Sequence, residues 1–507
     1  MIVQQDERAH AFQTQDNPFL ETLGPVIEYM KMATHLAYSP LRWRAVQEIP
    51  LAQREDLLST IKQHVVPTRM AQNVAAALQS LLREHYIQRN PLDAEVRKQV
   101  AQLAACREMP IATLPWFPSI ASGAIVQGIT GTGKTTIVNR YLSLLPQQVR
   151  VFSNGEIPGY QVLTQIVWMK VDMSADGSRG GFLLSILAEV DRLSGSGYYA
   201  QYSRARLSIE KLMVRVGIVL STHFCGMLLV EEIQRENFSE SKYIKELATF
   251  FLRLLNFGIP VVLIGNPLGF EELKHHSQVM RRLTTGGSFH LHPCASVDDF
   301  DWKILVQKLW EFDVMPEPLP LTEAIKEKLF SLRGGIPDFL ARLIVESQRN
   351  ALRGGKGAIN VNDIDKVFHS PTMQANHDLI LGFANQDINR LSGCTDIPVT
   401  YYERLWKSEK SGHASSADAA QARTVSTPVE TKSSEEIQHA ADSEVKSIVK
   451  TKEARYKGET TRAANREEKV KKLNASLPSE DMRQKGGKDA LLKGLAALQI
   501  RLNEKKL

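Results

Sequence analysis

Residues 128–135 read GITGTGKT, which sets three glycines, a lysine and a threonine at the spacing G-x-x-x-x-G-K-[ST]. Glycine lets a backbone curl until consecutive N–H groups face inward, and such a hollow at the start of a helix suits a β-phosphate. Lys134 then reaches the β- and γ-oxygens, and the Thr135 hydroxyl takes a position on Mg²⁺. Gly128, Thr130, Gly131, Thr132, Gly133 and Thr136 form the rest of the predicted cradle. The apolar run GAIVQ precedes the loop and a helical pattern follows it, which is the setting this motif requires. The chemistry is nucleotide binding.

Hydrolysis needs one carboxylate near the metal and another to polarise the attacking water. Glu231 and Glu232, at the end of MLLVEEIQ, fit those two roles, with Glu231 as the metal-side ligand. Glu231 stands where aspartate is usual, one methylene further from the metal, which predicts slow turnover. Asn266 ends the apolar run VVLIG, where it can hydrogen-bond the water or the γ-phosphate, or start an Asn-Pro turn. Arg281 and Arg282 precede the last apolar run; supplied across a subunit interface, one of them can stabilise transferred charge, although adjacent arginines at a helix end are also commonly solvated.

These residues need elements to hold them. Apolar runs at 123–127, 165–173, 226–234, 259–267 and 288–293 alternate with helical patterns. That predicts an α/β fold with a parallel five-stranded sheet covered on both faces and ligands at the carboxyl ends of its strands. Residues 1–120 read as a helical N-terminal extension that ends in the proline-rich connector PIATLPWFPSI, 121–297 as the nucleotide-binding domain, and 298–400 as a helical lid. From 401 to 507 the chain reads as a disordered basic tail, rich in Ser, Ala, Thr, Lys and Glu. Within it Leu491, Leu492, Leu495, Leu498 and Leu502 recur at helical spacing, which suits either a transient helix or a short partner-binding segment.

Composition excludes several classes. With 507 residues, 43% of them hydrophobic, the chain can build two or three cores. No apolar run approaches the ~20 residues a membrane span needs, and the N-terminal residues lack a signal-peptide layout, so a cytoplasmic protein without membrane association is expected. Cys106, Cys225, Cys294 and Cys394 are scattered, which predicts neither zinc nor disulfides. The formal charge of +6 falls wholly after Trp406, so any nucleic-acid contact by the body must come from a local basic stripe.

The phosphate loop, LLVEEIQ, LIGNP, the arginine pair and the helical lid, in this order, resemble an AAA+ P-loop ATPase. More narrowly, DNPFLETL, RNP at 89–91, QIVWMKVDMSADGS, LLVEEIQ and GIPVVLIGNP are similar to the TnsC family of transposition regulators, relatives of TniB and MuB, over roughly residues 15 to 390. The resemblance implies an ATPase using ATP and Mg²⁺. It also implies head-to-tail assembly into a ring or filament on double-stranded DNA without sequence preference. Such an ATPase links a target-selector protein to transposase and endonuclease subunits, and hydrolysis disassembles it. DNA would be met by phosphate contacts, for which Arg179, Arg204, Arg206 and Lys211 are the candidates. The lid departs from the pattern: RGGIPDFLARL lacks an arginine at the usual place and leaves Arg342 as the substitute. A replication initiator or helicase loader, and a nucleotide-dependent signalling scaffold without DNA binding, are the alternative readings.

Overall fold

The computed structural model describes residues 16–41, 46–107, 109, 121–205 and 207–407. The proline-rich connector, Arg206 and the tail with its leucine stripe lie outside the described residues. Of two compact units, Met1–His413 and Ala414–Leu507, only the first contains described residues.

The longest of the described helices that precede the sheet are α1 (Arg69–Gln88) and α2 (Ala94–Ala105). Then come β1 (Gly123–Gly128), α3 (Lys134–Leu142), β2 (Val149–Ser153), β3 (Val162–Ile166), β4 (Met169–Asp172), α4 (Arg179–Ser194), α5 (Tyr198–Arg204), α6 (Ile209–Thr222), β5 (Leu228–Ile233), α7 (Ile244–Asn256), β6 (Val261–Gly265), α8 (Ser277–Leu283) and β7 (Ser288–Leu291). The lid carries α9 (Phe300–Trp310), α10 (Glu323–Ser331), α11 (Pro337–Arg353), α12 (Val361–Phe368) and α13 (His377–Ala384). Five strands form one sheet in the order β4-β5-β6-β1-β7, with every neighbouring pair parallel. The loops leaving β1, β5 and β6 therefore gather along one edge, which brings the phosphate loop, Glu232 and Asn266 together.

Alternation along each strand divides the apolar residues between two cores. Ile125, Val230 and Leu263 face one core with Phe182, Leu220 and Phe251, from α4, α6 and α7. Ala124, Val126, Leu229 and Ile264 face the other, with Val138 of α3 and Val74, Leu78 and Leu82 of α1. The N-terminal helices thus supply much of the second covering layer. Their start is capped locally, the Thr68 side chain accepting from the Ala71 N–H.

The run 165–173, expected as one strand, is divided. Residues up to Ile166 pair in an antiparallel hairpin, β2 with β3, and only Met169–Asp172 joins the parallel sheet. The Val167 N–H still donates to the Gln148 carbonyl at 2.8 Å, which prolongs the hairpin by one pair, and the Met169 N–H is the one that turns to the Met227 carbonyl beside β5, at 3.0 Å. Periodicity alone does not reveal such a break, because the run is apolar on both sides of it.

A second irregularity lies in β5. Its register against β6 shifts between Val230 and Ile233, and Glu232 adopts φ 54°, the left-handed region that residues other than glycine rarely enter. Opposite this bulge, Gly265 leaves no space: a Cβ there would stand 2.0 Å from the Ile233 carbonyl oxygen. Gly265→Ala is expected to force β5 and β6 apart and to destabilise the protein by about 2–4 kcal/mol, read as a lowered Tm. An unchanged Tm would show that the bulge can relax.

The lid has its own core of Trp302, Leu329, Leu340, Phe368 and Phe383, and Ile129 of the phosphate loop is buried in it. No helix among the described residues is long and apolar enough to cross a membrane.

Candidate nucleotide site

The phosphate loop opens into a cavity of about 1100 Å³ lined by residues 130–136, by the segment around Ile61–Val66 and by the lid. Gly131 and Gly133 both have positive φ, 84° and 89°, so the curl expected of the loop is present. Nothing lies within 4 Å of a Cβ built on Gly133, whereas one on Gly131 would meet Ile336 and Asp338 of the lid at 3.0 and 3.2 Å. One glycine faces open space and the other is pressed against protein. Gly133 also stands at the N-cap of α3 without a side-chain cap, which leaves the first N–H groups of the helix to a ligand.

Lys134 Nζ donates to the carbonyls of Gly128 and Ile129, at 2.7 and 3.0 Å. Burial pushes its pKa down to about 8, against the opposing pull of Glu232, Asp396 and Glu231. A half-buried ammonium whose direct acceptors are neutral carbonyls has no counter-charge in contact, and a polyanionic ligand supplies one. Thr135 and Thr136 are exposed on the same wall, while the Thr132 hydroxyl is turned inward and donates to the Ile129 carbonyl at 2.8 Å.

The two adjacent glutamates part company at the bulge. Glu232 lines the cavity, and its Oε2 accepts from the Gln234 side chain at 3.0 Å. Glu231 is buried behind the cavity lining, with Oε2 held 3.1 Å from Lys170 of β4. Lys170 in turn donates to Asn139 of α3 at 3.0 Å. Glu231 Oε1 is buried without a hydrogen-bond partner, which leaves one oxygen of this carboxylate available to a water or cation. Lys170 gave no sign in the sequence, because its importance comes only from the β4–β5 register that places Asp172 beside Glu231.

Asn266 lines the cavity and does start a turn: its Oδ1 accepts from the Leu268 N–H at 2.9 Å. The turn leaves Nδ2 facing the cavity, where it donates to the backbone carbonyl of Asp396 at 2.7 Å. Arg342 also lines the cavity, tied to Asp338 one helical turn earlier at 3.1 Å, while the Asp338 N–H donates to Gly131 O at 3.2 Å. Arg349, about two turns further along α11, faces the same space and pairs with Glu346 and Glu55. Away from the loop, apolar lining from Ile61, Val66, Leu305, Leu309, Ala341 and Val345 is mixed with Lys62, His64 and Glu346.

Arg281 and Arg282 are not part of this cavity. They sit in the last turn of α8, next to Leu283, whose Cα would meet a Cβ on Gly123 at 2.8 Å. Gly123 begins β1 and the phosphate loop leaves its far end, roughly 16 Å along the strand. Among the described residues neither guanidinium has an ion-pair partner. Of the candidate DNA contacts, Arg179 pairs with Glu246 at 3.4 Å and lies over the Tyr243 ring at 3.9 Å. Arg204 and Lys211 are exposed on α5 and α6.

A parallel sheet in this strand order, with its phosphate loop after β1, between β6 and the edge strand β7, and a helical lid closing over the strand ends, is an AAA+ P-loop NTPase fold. Residues 121–273 match the family model described as an AAA domain. No curated protein matches the chain. Among solved structures, the Aeropyrum pernix ORC1 protein in complex with DNA is similar with a TM-score of 0.34 and 19% identity, over 54% of this chain and 64% of that one. The Thermotoga maritima RuvB Holliday junction branch migration motor gives 0.30 and 14%, over 59% and 74%. Domain III of the Thermotoga maritima replication initiation protein DnaA gives 0.30 and 13%, over 55% and 93%. The match to the ORC1 chain thus covers less than two thirds of that protein's length.

Proposed function

We propose that the protein is a Mg²⁺-dependent ATPase whose nucleotide state governs head-to-tail assembly on duplex DNA, and that in this assembly it regulates transposition as the TnsC family does. The observation carrying the ATPase reading is the convergence of Lys134, Glu232 and Asn266 on one cavity with a polar loop at one end and mixed apolar and polar lining away from it. The phosphates belong at the loop and the base between the 61–66 segment and the lid. Glu232 orients and deprotonates the attacking water, and Asn266 holds it. Among the described residues no three His, Cys, Asp or Glu side chains form a metal cluster. Thr135 and Glu231 would hold the metal, which would supply charge neutralisation for the transferred group. The free oxygen of Glu231 fits that role.

Arg281 and Arg282 support the assembly reading. They stand too far from their own phosphate loop to serve it, and unpaired cations at the opposite edge suit a neighbour's site in a heterologous contact. The DNA and transposition parts rest on the family resemblance and on the exposed Arg204 and Lys211. Target selector, transposase and endonuclease are the partners this reading implies, in the cytoplasm.

Mixing tests the composite site. The double variant Arg281→Ala, Arg282→Ala and the variant Glu232→Gln should each be nearly inactive with ATP and DNA. An equal mixture should recover about a quarter of the parental rate, because one junction in four pairs an intact carboxylate with intact arginines. A mixture no more active than its components, or a fully active double variant, would remove the arginines from the mechanism. ATP-dependent retention of duplex DNA, and pull-down of the transposase, test the remaining parts separately.

A further inference from the structure

Asp396 belongs to the last stretch of the lid, yet it stands at the mouth of the phosphate loop. Its Oδ2 accepts from the Thr130 hydroxyl at 3.4 Å, across 266 residues of sequence. Its backbone carbonyl accepts from Asn266 Nδ2 at 2.7 Å, across 130 residues. One residue thus spans the loop and the asparagine that faces the attacking water. The placement is held from both sides. Ile397 is buried in the lid core, and the Tyr401 hydroxyl lies 3.2 Å from His292 Nε2, just beyond β7. On the other side, the Asn266 amide cannot turn away without losing its Oδ1 bond to Leu268. The carboxylate is also close enough to Lys134 to favour its charged form.

A β-phosphate sits in the hollow of loop N–H groups, and a third phosphate continues from it toward the residues that act on water, here Asn266 and Glu232. That is the space between Thr130 and Asn266 which Asp396 spans. Two anionic groups there repel at short range, and the Asp396 carbonyl holds one of the two N–H donors of the Asn266 amide. A diphosphate does not meet that repulsion. Accepting the ATPase reading above, we infer that Asp396 is the residue that discriminates the third phosphate. The lid segment 392–399 stays docked over a nucleoside diphosphate, and a triphosphate must displace it and so free Asn266. Nucleotide state is thereby transmitted to the lid's final helical stretch, residues 399–407.

The test compares affinities of the full chain for ADP and for a non-hydrolysable ATP analogue, both with Mg²⁺, by titration calorimetry. Asp396→Asn removes the charge while keeping the shape. It should tighten the triphosphate by roughly tenfold and leave the diphosphate within about twofold, whereas Asp396→Glu should retain the parental ratio. Unchanged ADP affinity also reports that the variant is folded. A second readout uses the parent protein alone: amide hydrogen exchange in residues 392–399 should rise with the triphosphate and not with ADP. If Asp396→Asn weakens the triphosphate, the carboxylate is a ligand of the bound metal and not a gate. Equal shifts for both nucleotides, or none, with exchange in 392–399 the same in both complexes, would also overturn the inference. If the parent binds neither nucleotide, it is the ATPase reading itself that fails.

Discussion

Lys134→Ala should weaken ATP binding by roughly 100-fold, about 3 kcal/mol, the order expected for removing charge-assisted hydrogen bonds to two phosphates. In the structure the ammonium is enclosed by the loop with only the Gly128 and Ile129 carbonyls as direct acceptors, so a phosphate gains a counter-charge that is already in position. The same burial gives the effect a pH dependence. Free Lys134 titrates near 8, while bound phosphate oxygens hold it protonated to higher pH. Binding then takes up no proton below pH 8 and close to one above it. ATP affinity should therefore be flat below pH 8 and fall by up to tenfold per pH unit above it, until the pKa of the bound form is reached. Calorimetry between pH 7 and 10 reads this directly. Because Lys134→Ala lacks the titrating group, its residual affinity should not show that fall. Parental affinity in the alanine variant would place the phosphates elsewhere. ATP-dependent assembly on DNA should disappear with ATP binding, and assembly that persists would break the proposed order of events.

Glu232→Gln should leave ATP affinity within about twofold and lower the hydrolysis rate by between roughly 10² and 10⁴, the range for loss of a general base. The bulge in β5 is the reason for choosing this glutamate. At φ 54° the Glu232 backbone is held in a conformation that costs about 1–3 kcal/mol, and in return its carboxylate faces the cavity while Glu231 turns to Lys170. Glutamine keeps the length and the backbone and removes only the ability to accept a proton. Single-turnover measurements should show bound, uncleaved ATP, and assemblies formed with ATP should persist. Hydrolysis at the parental rate would shift the role of base to another carboxylate.

Several parts of this site are legible in the sequence because they are local. A phosphate loop is eight consecutive residues whose glycines permit the tight curl, and the positive φ of Gly131 and Gly133 is a conformation that their residue type allows without strain. The strands likewise announce themselves as short apolar runs between turn signals, and parallel order places their ends on one edge. Asn266 at the end of β6 was legible for the same reason, and the turn it starts is the one that Asn-Pro encodes. What the run at 165–173 concealed was a change of partner, since an apolar strand carries no mark of which neighbour it pairs with.

Tertiary structure alone decided how the charges are used. Two adjacent glutamates look equivalent in sequence, and only the packing of Gly265 against Ile233, with the bulge it accompanies, sends one into the cavity and the other to Lys170. Arg179 reads as a free basic residue until Glu246 and Tyr243 are seen to hold it. Asp396 is the extreme case, an ordinary acid in a loop whose partners lie 130 and 266 residues away. The physical reason is one of range. Backbone conformation and strand propensity depend on neighbours a few residues apart, so sequence alone determined the loop and the sheet. Pairing of charges depends on which surfaces the lid and the sheet bring into contact, and no local pattern contains that.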